Sequence, residues 1–226
     1  MARNEYQTRL RELEEDVSYL GELVSERVRH ALDALDEKDE DLAQRVVEGD
    51  GEINRLYLDL EQDCIDLLAL QQPVAGDLRF VAASFKIITD LERIGDLAVN
   101  LAQYATDAEQ DVYTEVDIQR IGDAALDMVD QAMDAYSTED SELCHSVAER
   151  DDDLDTMCDN ASQTIVRDLM TSDDFEGDDD LDAEDSLVDV RRLLLTVRDL
   201  ERIGDHAVNV AARTLYMIDN DDSLLF

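Results

Sequence analysis

Residues 90–102 read DLERIGDLAVNLA and residues 199–211 read DLERIGDHAVNVA, identical at eleven of thirteen positions. A repeat of this length marks an internal duplication and restricts the chain to folds that can be built twice. The duplication extends beyond the motif. Residues 20–69 align without a gap onto 121–170 at an offset of 101, matching Gly21 to Gly122, Val28 to Val129, Asp33 to Asp134, Asp39 to Asp140, Leu42 to Leu143, Glu48 to Glu149 and Asp50 to Asp151. By the second motif the offset is 109, so the second half carries eight extra residues, placed in the acidic run from Ser172 to Asp185. Two repeats are expected, over 1–110 and 111–226.

Each repeat reads as three helices. One proline and eight glycines leave few places where helix is forbidden, and a fold of many short strands would need more turn residues. From Glu5 to Asp36, the residues Leu10, Leu13, Val17, Leu20, Val24, Val28, Ala31 and Leu35 recur at three- and four-residue steps, a single buried stripe. Asp39 is placed to cap a second helix over 40–70. Pro73, in the turn Gln71-Gln72-Pro73-Val74, suits the start of a third helix that runs to about Ala108. The pattern weakens over Glu109–Thr114, and three further helices follow over about 115–137, 140–170 and 183–219. Three long helices with short connections run up, down and up. The fold class is therefore all-α, two tandem three-helix bundles.

The formal charge of −40, from 59 acidic and 19 basic residues, opposes compaction through self-repulsion. The acids are spread along amphipathic segments instead of pooled in a tail, which points to a folded protein from a high-salt cytoplasm, where the Debye length shrinks to about 3 Å at 1 M. Such a surface argues against phosphate-contact binding of nucleic acid and against an anionic membrane. Cys64, Cys144 and Cys158 are odd in number and form no CxxC, as expected in a reducing cytosol. MARNEYQTRL has no apolar core, and no stretch approaches the length of a membrane span, so neither a signal peptide nor a transmembrane helix is expected.

The repeated motif carries paired acids. Glu92 and Asp96, and again Glu201 and Asp205, are four residues apart and stack one turn above the other on a helix flank. Such a pair repels itself, so keeping it in both copies calls for a compensating cation. An arginine would serve, although Arg93 and Arg202 are next in sequence and do not face the pair; a metal ion would serve more completely. Asp151 and Asp155 form a further pair on the fifth helix, and if the fifth and sixth helices are antiparallel neighbours, four carboxylates can converge. All-oxygen donors suit Mg, Mn, Fe or Ca, and Zn less well. The aligned residues of the first half are Asp50 and Asn54, so that site is one carboxylate short. Glu142 and His145 have the spacing of a di-iron ligand pair, but Gln44 stands at the position aligned with His145. His206 projects away from Glu201. No phosphate loop, Ser-His-Asp set or reactive-cysteine context is present.

The two motif copies, together with the QQPVAGDLR turn before the first, resemble the PhoU family of phosphate-uptake regulators, and the resemblance covers nearly the whole chain. It implies paired three-helix bundles whose E/D-x-x-x-D motifs hold multinuclear metal, here on Glu92, Asp96, Glu201, Asp205, Asp151 and Asp155, with Asp50 a partial match. It also implies a non-enzymatic adaptor that negatively regulates phosphate uptake, acting between a phosphate ABC transporter and, in bacteria, a sensor histidine kinase. A homo-oligomer is compatible with it. The alternative is a metal-storage bundle or a metal-dependent enzyme.

Overall fold

The structure, a computed structural model, describes residues 3–70, 75–106, 116–171 and 180–225. Six helices account for nearly all of them: α1 (Arg3–Glu37), α2 (Glu40–Leu70), α3 (Ala75–Thr106), α4 (Ile118–Thr138), α5 (Ser141–Thr171) and α6 (Asp180–Asp219). The all-α plan and its doubling are as expected. The turn containing Pro73, the boundary near residue 110 and most of the acidic insertion lie outside the described residues. Helix α4 starts three residues later than its periodicity indicates because Asp117 caps it, its side chain accepting from the Arg120 N–H.

The duplication reaches the turns. α1 and α4 are each followed by a non-glycine residue in the left-handed region, Lys38 (φ 53°) and Glu139 (φ 52°). That conformation costs about 1 kcal/mol. The next residue offsets it by capping the following helix: Asp39 Oδ1 accepts from the Leu42 N–H at 2.9 Å, and Asp140 Oδ1 accepts from Glu142 and Leu143 at 2.9 and 3.2 Å.

Within the first bundle, Val17, Leu20, Val24 and Val28 of α1 pack with Ile53, Leu60 and Leu67 of α2 and Ile87, Leu91 and Ile94 of α3, all essentially inaccessible to solvent. The second bundle repeats this with Met128 and Val129 of α4, Leu154 and Ile165 of α5, and Leu200 and Ile203 of α6.

Two helix pairs join the bundles, α3 with α6 and α1 with α4. The second pair is built on aligned glycines. The bare face of Gly21 on α1 receives Met133 of α4, and the bare face of Gly122 on α4 receives Leu32 of α1. Met133 and Leu32 are themselves aligned at the offset of 101. Each half thus inserts the same knob into the same notch of the other, as a pseudo-twofold axis between antiparallel helices requires.

The α3–α6 seam carries the first aspartate of each motif copy. Asp90 faces His206 across the seam, Oδ1 to Nδ1 2.9 Å, and both are buried. Asp199 is wholly buried and accepts from Tyr104 Oη at 2.9 Å, Asn100 Nδ2 at 3.3 Å and Arg198 Nη2 at 2.7 Å. Partner numbers fall on one helix as they rise on the other, so α3 and α6 are antiparallel. His206 is therefore a seam residue, in keeping with its projection away from Glu201. No helix among the described residues is long and apolar enough to cross a membrane.

Candidate metal centre

The motif glycine determines how the acids meet. Gly204 turns its bare face to Leu154 of α5, and Gly95 turns its own to Ile53 of α2. Leu154 and Ile53 are aligned residues, as are the two glycines. A side chain at either glycine would hold the helices apart. Its absence brings the α5 backbone in so that Asp151 Oδ1 lies 3.6 Å from where a Cβ on Gly204 would be. The motif therefore does three jobs on one helix: its first aspartate enters the seam, its glycine admits the neighbouring helix, and its glutamate and last aspartate flank the resulting groove.

In the second half, Asp151, Asp155, Glu201 and Asp205 share that groove. Burial first, and then the charges of Asp155, Asp205, Asp152 and Glu201, push the Asp151 carboxyl up from 3.8 to about 6. Glu201 is raised by burial and by Asp155, Asp205 and Asp159, and Asp155 by burial and by Asp205, Asp152 and Asp159. Asp151 Oδ1 is enclosed and accepts no hydrogen bond from the protein. No arginine among the described residues pairs with the group: Arg202 lies 3.7 Å from Asp199, and Arg150 pairs with Asp127 at 3.3 Å.

The first half is arranged otherwise. Asp50 Oδ2 accepts a 2.6 Å hydrogen bond from Asn54 Nδ2, so one of its oxygens is already satisfied. Glu92 is raised by burial, Asp96 and Asp50, but the Arg93 charge opposes that rise, and Asp96 is raised by burial and by Asp50. Arg93 thus reaches Glu92 electrostatically, although an adjacent residue does not face the pair. A second guanidinium is built in beside α2, where Gly49 makes room for Arg27, which donates to the Val46 carbonyl at 3.1 Å and lies 3.5 Å from Glu52.

Mutual charge effects link Asp151, Asp155, Glu201 and Asp205 in the second half and Asp50, Glu92 and Asp96 in the first. In the present side-chain positions, no three His, Cys, Asp or Glu residues among the described residues form a group that could hold a metal ion. The donor set nonetheless fits an oxygen-seeking cation in the second half, because an enclosed, unpartnered carboxylate oxygen sits among three further acids. Asp152 and Asp159 add to its field and were not anticipated; Asp159 is the next rung of the ladder Asp151, Asp155, and counting four residues onward finds it. Glu142 and His145 are exposed on α5 and lie outside the groove.

Two segments, 17–105 and 118–214, match the model of the PhoU domain. The chain belongs to the PhoU family. It is 33% identical over 219 residues to a phosphate-specific transport system accessory protein PhoU homolog of Pseudomonas putida, covering 93% of this chain and 80% of that protein. It is 30% identical over 216 residues to PhoU homolog 1 of Methanothermobacter thermautotrophicus, covering 94% of each. The crystal structure of PhoU from Pseudomonas aeruginosa superposes with a TM-score of 0.87 at 32% identity, covering 96% of this chain and all of that one. The PhoU structure from Streptococcus pneumoniae gives 0.83 at 27% identity, covering 96% and 98%. The relatives so named are accessory proteins of phosphate-specific transport systems, and the acids described above lie on helices that the two PhoU-domain matches include.

Proposed function

We propose that this chain is a cytoplasmic accessory protein of a phosphate-specific transport system, a non-enzymatic adaptor that restrains phosphate uptake when phosphate is plentiful. The observation that supports this is the end-to-end likeness of both repeats to transport accessory proteins, in sequence and in fold together. Its partners in this reading are components of the phosphate ABC transporter and, where one exists, a sensor histidine kinase. The units that act are the repeats 1–110 and 111–226.

The carboxylate groups serve this role as cation sites. Asp151, Asp155, Glu201 and Asp205 would hold a divalent or trivalent ion, of the class Mg, Mn, Fe or Ca and less readily Zn. Asp50, Glu92 and Asp96 would hold one more weakly. A bound cation would offset the mutual repulsion of these carboxylates, and would give an otherwise acidic face a point at which an anion can approach.

Deletion of the gene tests the regulatory reading directly. Phosphate uptake in phosphate-replete cells is expected to stay high in the deletion strain and to fall again on complementation. Uptake that remains repressed without the gene would overturn it, and redox or hydrolytic turnover by the metal-loaded protein would favour an enzyme instead.

A further inference from the structure

The outward side of α2 carries three large apolar side chains, and other helices expose such residues as well, Met170 of α5 among them. Leu58 is 58% exposed, Ile65 46% and Leu68 38%. Their spacing of seven and then three residues puts them along one helix face. Gln62 lies between Leu58 and Ile65, but its amide donates to Asp66 Oδ1 at 2.8 Å and is drawn to the flank. Glu61, half-exposed, sits on the same face between Leu58 and Ile65, and the flank carries Asp59, exposed, and Asp66, half-exposed.

Packing does not require leucine at 58. The aligned residue of α5 is Asp159, an exposed acid whose charge bears on Asp155 and Glu201. The same helix position in the same fold therefore tolerates a charge, and an apolar residue exposed there in the first half calls for a ligand rather than a core.

We propose that this face of α2 docks a basic amphipathic helix of a protein partner. Apolar side chains at i, i+3 or i+4, and i+7 of such a helix would cover Leu58, Ile65 and Leu68, while its Lys and Arg would meet Asp59, Glu61 and Asp66. Charge selects this occupant. A second copy of the chain would set like-charged borders against each other, and an anionic lipid surface would be repelled by a protein of formal charge −40. The inference rests on the adaptor reading, to which it adds the surface and the chemistry of the partner.

The test uses the whole chain and a fluorescent Leu/Lys peptide of about 18 residues, roughly five helical turns, with leucine at amphipathic spacing. Anisotropy titrations compare the native chain with Leu58→Asp/Ile65→Asp and with Val166→Asp on α5. The double variant adds two negative charges, so general attraction to lysine grows while the apolar stripe is lost. Docking on the stripe is expected to weaken at least about tenfold in the double variant and to stay unchanged in Val166→Asp. At 1 M salt, where charge is screened within about 3 Å, the native chain retains binding and the double variant does not. Circular dichroism confirms that helix content is equal.

Binding that is unchanged or tighter in the double variant would overturn the proposal, as would equal loss in Val166→Asp. So would a native dimer by sedimentation that the double variant abolishes, or flotation with phosphatidylcholine vesicles that it abolishes, since the face then belongs to a second copy or to lipid. Absence of peptide binding by the native chain, with uptake still derepressed by gene deletion, would strike this surface alone and leave the regulatory reading standing.

Discussion

Asp50, Asn54 and Leu58 occupy on α2 the positions that Asp151, Asp155 and Asp159 occupy on α5. One ladder is an acid, an amide and a leucine; the other is three acids. The backbone beneath them is the same, set by Gly95 with Ile53 in one half and Gly204 with Leu154 in the other. Positive charge has moved in the opposite sense. Arg27 threads past Gly49 beside the first ladder, whereas the aligned pair in the second half is a buried Met128 and an outward Arg150. Arginine charge opposes the rise of Glu92 in the first groove, and none acts on Asp151, Asp155 or Glu201 in the second. Duplication preserved the scaffold and released the two flanks to diverge.

Removing the knob under each ladder should produce the largest effects. Leu154→Ala and Ile53→Ala each delete a buried aliphatic side chain, at a cost of about 2–5 kcal/mol by urea denaturation. The stability losses are expected to be alike, but only Leu154→Ala should lower the titration point of Asp151, because the enclosure that raises it depends on close contact of α5 with α6. Equal titration of Asp151 in native and variant chains, followed by carboxyl NMR shifts, would show that its elevated pKa does not come from that contact.

Cation binding should separate the halves next. Glu201→Gln with Asp205→Asn removes two of four carboxylates and is expected to weaken manganese binding by about 100-fold, worth some 2.7 kcal/mol, whereas Glu92→Gln with Asp96→Asn should change total affinity less than about tenfold. Asn54→Asp should sharpen the contrast from the other side by raising the first-half affinity toward the second. Elemental analysis after equilibrium dialysis reads all three, and equal losses from both double variants would remove the asymmetry.

Much of this was legible in the residues alone. The offsets of 101 and 109 located the repeats, the periodicity located the helices, and Asn54 against Asp155 already marked a difference in residues between the two grooves. What sequence could not supply was direction in space. Asp90 and Asp199 look like two more acids, and only packing shows them buried in the seam against His206 and against Tyr104 and Asn100. Arg202 is turned from Glu201 by the helix alone, but that it lies beside Asp199 is visible only in the structure. Leu58 is one leucine among several on α2, and its exposure depends on where α1 and α3 leave α2 uncovered. Each of these turns on a contact between helices, and the pattern along one helix records only which residues share a face.

The pH response follows from Asp151. Its carboxyl is raised from 3.8 to about 6 in the folded chain, so the folded state holds the proton more tightly than the unfolded state does. The stability this contributes is fully present below pH 3.8 and is lost as pH rises through about 6. Asp151→Asn should therefore stabilise the cation-free chain at neutral pH and flatten its stability profile between those values. The half-exposed setting screens the effect and keeps it modest. Urea midpoints of native and variant chains that run parallel across this range would show that the raised carboxyl is not felt in folding, and added manganese should reverse the variant's advantage.

The smallest effects test the scaffold itself. Alanine in place of a mid-helix glycine gains about 1 kcal/mol of helix propensity, so both motif glycines would be improved by substitution if nothing faced them. At Gly95 the added Cβ would meet Ile53 Cδ1 and Cγ2 at 3.2 and 3.3 Å, a tight fit that a small shift of Ile53 relieves. At Gly204 it would collide with Leu154 Cδ2, and overpacking of that kind costs about 1–3 kcal/mol. Gly95→Ala is therefore expected to be close to neutral and Gly204→Ala to be destabilised by roughly 1 kcal/mol, the difference of those two contributions. Moving Leu154 also moves Asp151, three residues before it on α5, so Gly204→Ala should weaken manganese binding while Gly95→Ala leaves it unaltered. If both substitutions stabilise the chain equally, α5 does not approach α6 more closely than α2 approaches α3, and the difference between the two grooves would then lie in their charges alone.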